Sequence, residues 1–163
     1  MSKTTPGGFH GFEFWVHDVC QGLLFAEMIA AIEAIPAAQR PGWMADLVPE
    51  LQVHACVNDL YIPIDEWADG HEDAFAELVA RARDRLITRG TLTPQEAAAW
   101  IIMDELPVHW RGTAPISTNA AVEFAEALIA IVSGTYPEAP SGRRWYFGAH
   151  TATGQLATVG TGE

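Results

Sequence analysis

The sequence predicts a mainly α fold: one domain over residues 1–163, with about four helices around a single core and a small β element. An α+β arrangement is the near alternative. Three observations predict it. Apolar residues recur at three- and four-residue spacing in long runs, which is the helical period. Proline, glycine and capping residues bracket those runs. Strict apolar–polar alternation is confined to short stretches, chiefly within 51–64. With 163 residues and a 49% hydrophobic share, the chain can build a core without disulfides or metal.

Residues 1–11 carry Pro6, Gly7, Gly8 and Gly11 and read as a flexible or extended arm. Phe12, Phe14 and Val16 alternate with Glu13 and Trp15, which suits a short strand. A helix follows from Asp18 to Ile35, with Asp18 as its cap and Pro36 as its stop. Its face is Leu24, Phe25, Met28, Ile29, Ile32 and Ile35, and so few polar residues interrupt it that it belongs in a core or at an interface. Residues 36–50 read as a connection with one helical turn near Trp43–Val48. Leu51–Val57 then alternates like a strand, Asn58–Asp59 forms a turn, and Leu60–Ile64 returns as an edge strand bearing Pro63.

The next helix opens at Asp69 or Gly70. Glu72 and Asp73 occupy its first turn, Arg81, Arg83, Arg85 and Arg89 its later turns, and Gly90 ends it. Phe75, Leu78, Val79, Ala82 and Leu86 form its inward stripe, and its arginines read as a solvated face. Thr93-Pro94-Gln95-Glu96 is a capping box with proline at the first helical position, starting a helix to about Leu106. Pro115 and Ser117–Asn119 open another, with Val122, Ala125, Leu128, Ile129 and Val132 on one face and Gly134 at its end. Arg143–Phe147 reads as a strand, and 148–163 as a second extended arm.

Charge narrows the function. There are 21 acids against 9 bases, a net charge of −12, which excludes a protein that grips nucleic acid or anionic lipid through a basic surface. No apolar run reaches the roughly 18 residues of a membrane span, since Glu27 and Glu33 interrupt the most apolar helix. The N-terminus lacks the pattern of a signal peptide, and Cys20 and Cys56 read as free thiols, so a cytoplasmic location is expected. Eight of the nine bases are arginine, a bias of GC-rich bacterial coding.

No nucleophile elbow, phosphate loop or dinucleotide fingerprint is present. His54 and Cys56, two apart on a strand, would share a side and could hold a metal together with His17 and Cys20. Two ligands do not make a site, and a half-buried strand with a satisfied histidine is the plainer reading, so no cofactor is expected. The most specific feature is acidic. Asp59, Asp65, Glu66, Asp69, Glu72 and Asp73 fall within fifteen residues with no Lys or Arg among them, and Tyr61 and Trp67 are interleaved. Either this is a solvated loop running into an acidic first turn, or it is a docking surface whose acids steer a basic partner and whose aromatics anchor it. Trp67 and Trp110, beside polar turn residues, are the tryptophans expected to be partly exposed.

Three functions follow in order. The first is an acidic protein–protein interaction module, an inhibitor or immunity-type protein masking a basic partner such as a nuclease. The second is a subunit of a homo-oligomeric or phage-like assembly. The third is a small metalloprotein or enzyme using His54 and Cys56.

Overall fold

A computed structural model describes residues 4–57, 59–108 and 112–148, and the backbone of 155–158. The architecture is α+β, which corrects the mainly helical expectation. A five-stranded mixed sheet runs in the order β3-β1-β2-β8-β9. Its strands are β1 (Thr4–Phe9), β2 (Phe12–His17), β3 (Ile62–Pro63), β8 (Arg143–Phe147) and β9 (Gln155–Thr158). The long helices are α1 (Asp18–Glu33), α2 (Gly42–Cys56), α4 (Glu72–Arg89) and α6 (Asn119–Val132), with short α3 (Ile64–Ala68) and α5 (Pro94–Ala99). Two small ribbons complete it: β4 (Thr91–Leu92) with β7 (Ile116–Ser117), and β5 (Ile101–Met103) with β6 (Leu106–Pro107).

The first correction is at the N-terminus. The expected arm is β1, paired antiparallel to β2 and parallel to β3. Its glycines serve close packing: a Cβ on Gly7 would meet the Phe14 ring at 2.7 Å and Ile62 at 3.0 Å. His10 and Gly11 form the two-residue turn with φ of 46° and 83°, the left-handed pair that matches strand twist. β2 and β8 are the two strands expected at Phe12–Val16 and Arg143–Phe147, and they pair parallel with each other. The inner sheet face carries Phe14, Val16 and Phe147, and Phe14 and Phe147 pack on Phe124 of α6 with ring centroids 5.7 and 5.5 Å away.

β2 runs straight into α1, whose first cap is His17 and not Asp18: the His17 Nδ1 accepts the Val19 N–H at 3.2 Å. Fourteen of the sixteen α1 residues are buried, since α2, α4, α6 and β2 all pack against it. This explains its nearly uniform apolarity. The buried apolar residues form one continuous cluster around it.

The second correction is α2. The stretch expected as a strand, 51–57, belongs to a helix that begins at Gly42. Met44, Leu47, Leu51, His54 and Ala55 are buried, a helical stripe that the alternation of Val53, Ala55 and Val57 disguised. Pro49 lies inside it, but both Pro49 and Ala45 are exposed, so water can take the Ala45 carbonyl that proline cannot serve. The expected 51–64 hairpin does not form, because β3 pairs with β1 instead.

α4 opens at Glu72 with His71 as its N-cap, two to three residues after the expected Asp69 or Gly70, and its Gly90 stop falls as expected, with Gly90 at φ 69°. The Thr93 capping box is present in both directions. That helix stops at Ala99, however, and does not reach Leu106. Trp100 leaves the helix, Ile101–Met103 turns back on Leu106–Pro107, and Asp104 takes the positive φ of the tight turn. The expected arm at 148–163 contributes β9, which pairs antiparallel with β8; residues 149–154 and 159–163 lie outside the described residues. Among the described residues no helix is long and apolar enough to cross a membrane.

The arginines of α4 are not simply a solvated face. Glu27, at 1% exposure in α1, receives the Arg85 Nε–H at 2.7 Å on one oxygen and the Arg89 Nε–H at 2.9 Å on the other. A buried carboxylate is tolerable only with such partners.

Candidate functional site

The acidic segment divides among three surroundings. Asp59 is exposed at a φ of 73°. Tyr61, 49% exposed, lays its phenol over Gly8 on the outer face of the sheet. Asp65 accepts the backbone N–H of His10 at the β1–β2 turn, with the His10 ring 3.5 Å away. Tyr61 and Asp65 border the sheet.

Glu66, Trp67 and Asp69 face elsewhere. With Trp43, Asp46, Leu47 and Glu50 of α2, and with His71, they line a groove of about 370 Å³. Four carboxylates from two chain segments meet there, and among the described residues no Lys or Arg lines it. Trp43 and His71 stack flat on each other, with centroids 5.0 Å apart and planes 11° apart, and form an aromatic wall. Trp67 is 7% exposed, which corrects the expectation of a partly exposed anchor. Its ring packs edge-on to Phe25 at 5.4 Å and His54 at 4.9 Å, so it roots α3 in the core and positions Glu66 and Asp69 beside it.

Glu72 and Asp73 begin α4. The Glu72 carboxylate accepts the Gly70 N–H at 3.2 Å, and backbone N–H groups, its own first, hold its pKa below the usual carboxylate value. These two acids extend the negative field from the groove without lining it. Trp110 lies outside the described residues.

His54 and Cys56 do not share a strand face. They sit in the last turn of α2, where a separation of two residues turns them about 200° apart. The His54 ring is buried, its nitrogens 2.9 Å from the Glu50 carbonyl and 3.1 Å from the Tyr61 carbonyl, while its own carbonyl accepts from the Gln21 amide at 2.6 Å. It ties α1, α2 and the segment before β3 together. Burial raises the Cys56 thiol pKa, and burial with the charge of Asp18 pushes Cys20 up to about 12. Thiols held in the neutral form are poor nucleophiles and poor metal ligands. Among the described residues, no three His, Cys, Asp or Glu side chains are placed to hold a metal.

Comparison with protein-family models, curated proteins and solved structures finds no match. The chemistry of the groove therefore has to speak for itself. Carboxylates around an aromatic wall suit a guanidinium or ammonium group, which gains charge pairing and a π face together. Half of those carboxylates were missed. Asp46 and Glu50 become visible only when 42–56 is read as a helix, where Trp43, Asp46, Leu47 and Glu50 recur at the i, i+3, i+4, i+7 spacing of one face.

Proposed function

We propose that this protein is a non-catalytic docking module that captures a basic protein partner, in the manner of an inhibitor masking a basic enzyme. The observation that carries the reading is the groove between α2 and α3: four carboxylates, an aromatic wall and, among the described residues, no lining base. A cationic side chain of the partner would enter it, while Glu72, Asp73 and the net charge of −12 would speed the encounter from a distance.

The assembly reading loses its sequence motive. It rested on the apolarity of α1 and α6 and on extensible terminal arms, and α1 spends its apolar surface inside the protein's own core while Thr4–Phe9 and Gln155–Thr158 pair into the sheet. The metal reading rested on a strand that is a helix.

The test is a pull-down from lysate of the native host at low and high salt, run with wild type beside a Glu50→Lys/Glu66→Lys variant. Wild type should retain one dominant basic protein at low salt and release it at high salt. The variant should lose it, with an association rate down by about tenfold or more. Recovery of the same proteins by both forms would end this reading.

A further inference from the structure

A second site lies toward the other end of α4, about 20 Å along the helix from Glu72 by its rise per residue. A cleft of about 580 Å³ opens there between α1, α4 and the start of α5. Its volume falls in the range of small-molecule sites. Glu27 forms its floor, and Arg85 and Arg89 rise from that floor.

The guanidiniums are held in different ways. Arg89 gives both its Nε and one Nη to a single Glu27 oxygen, each at 2.9 Å, and its guanidinium lies 4.2 Å over the Trp100 ring. Arg85 spends only its Nε on the other oxygen, at 2.7 Å. No bond among the described residues engages the outer nitrogens of Arg85, and its side chain is 45% exposed to the cleft side. In a cleft also lined by the Asp84 and Glu96 carboxylates, two cations thus stand on one buried anion. Their positions are set before any ligand arrives, so little side-chain entropy remains to be lost on binding. This arrangement is unusual in a chain of net charge −12.

Asp84, next to Arg85 on α4, and Glu96 of α5 also line the cleft; Asp84 holds Arg83 at 3.1 Å, and Glu96 accepts the Thr93 N–H at 2.7 Å. We infer that this cleft binds the phosphate group of a small-molecule ligand, through the outer guanidinium nitrogens of Arg85 with Arg89 beside them. The forked donors of arginine match phosphate oxygens better than a point charge would. The inference is independent of the acidic groove and of any partner there.

The experiment titrates inorganic phosphate, and separately acetate, at constant ionic strength, and follows the arginine Nε–Hε resonances by NMR. Phosphate should shift the Arg85 and Arg89 signals saturably, and more tightly than acetate. Arg85→Gln leaves Arg89 on Glu27 and should weaken phosphate by about tenfold or more. Arg81→Gln removes the same charge from the same helix, outside the cleft lining and away from Asp84, and should leave affinity within about twofold. Four outcomes overturn the assignment: no saturation in wild type, acetate as tight as phosphate, equal loss in both variants, or no loss in Arg85→Gln.

Discussion

Glu27 shows how much one residue depends on others distant in sequence. Its partners are 58 and 62 residues away, and nothing local to α1 indicates them. The two sides of this contact should respond unequally to mutation. Glu27→Gln leaves two arginines that can reach water, at 45% and 30% side-chain exposure, so the loss should be about 1–3 kcal/mol. Changing Arg85 and Arg89 together to Gln leaves a carboxylate sealed in the core, and the loss should be about 3–5 kcal/mol. Urea denaturation of the two variants checks the order. A larger loss in Glu27→Gln would mean that the carboxylate is not the costly member.

At the scale of elements, termini are governed by local chemistry. Thr93 and Glu96 exchange hydrogen bonds at the start of α5, and Thr93→Ala should cost about 1 kcal/mol at neutral pH, by thermal or urea unfolding. The pH dependence has a definite sign. Hydrogen bonding to Thr93, its backbone first, lowers the Glu96 pKa in the folded state from 4.5. A carboxylate with a depressed folded pKa contributes stability above its unfolded value, and that stability is lost as pH falls through the folded value. Glu72 acts in the same direction through backbone N–H groups at the start of α4. The difference between wild type and Thr93→Ala should therefore narrow as pH drops below 4.5. A difference that stays constant down to strong acid would assign the cap to the threonine alone.

At the scale of the whole molecule, 21 acids face 9 bases. Self-repulsion destabilises the compact state, and salt screens it. Salt also weakens exposed pairs such as Arg83–Asp84, but such pairs are worth little. Repulsion should win, so the melting temperature should rise as salt goes from about 0.01 M toward 1 M and the screening length shrinks from about 30 Å to 3 Å. A falling melting temperature would show that the ion pairs outweigh the excess charge.

The same three scales separate what could be read in advance from what could not. By itself, the sequence determined the Gly90 end and inward stripe of α4, the capping box at Thr93, the β2 and β8 strands, part of the α6 stripe (Ala125, Leu128 and Val132) and the acidity. Caps and amphipathic stripes are satisfied within a few neighbouring residues, so their signals are local. The tertiary structure alone decided that Gly7 and its neighbours form a strand inside the sheet, because strand pairing is a contact with distant chain. It also decided that 51–56 is helical, because over a stretch that short the periods of strand and helix overlap and packing against α1 settles the matter. The acidic groove needed both: its α3 carboxylates stood out as a run, but the α2 carboxylates joined them only once two helices were folded side by side.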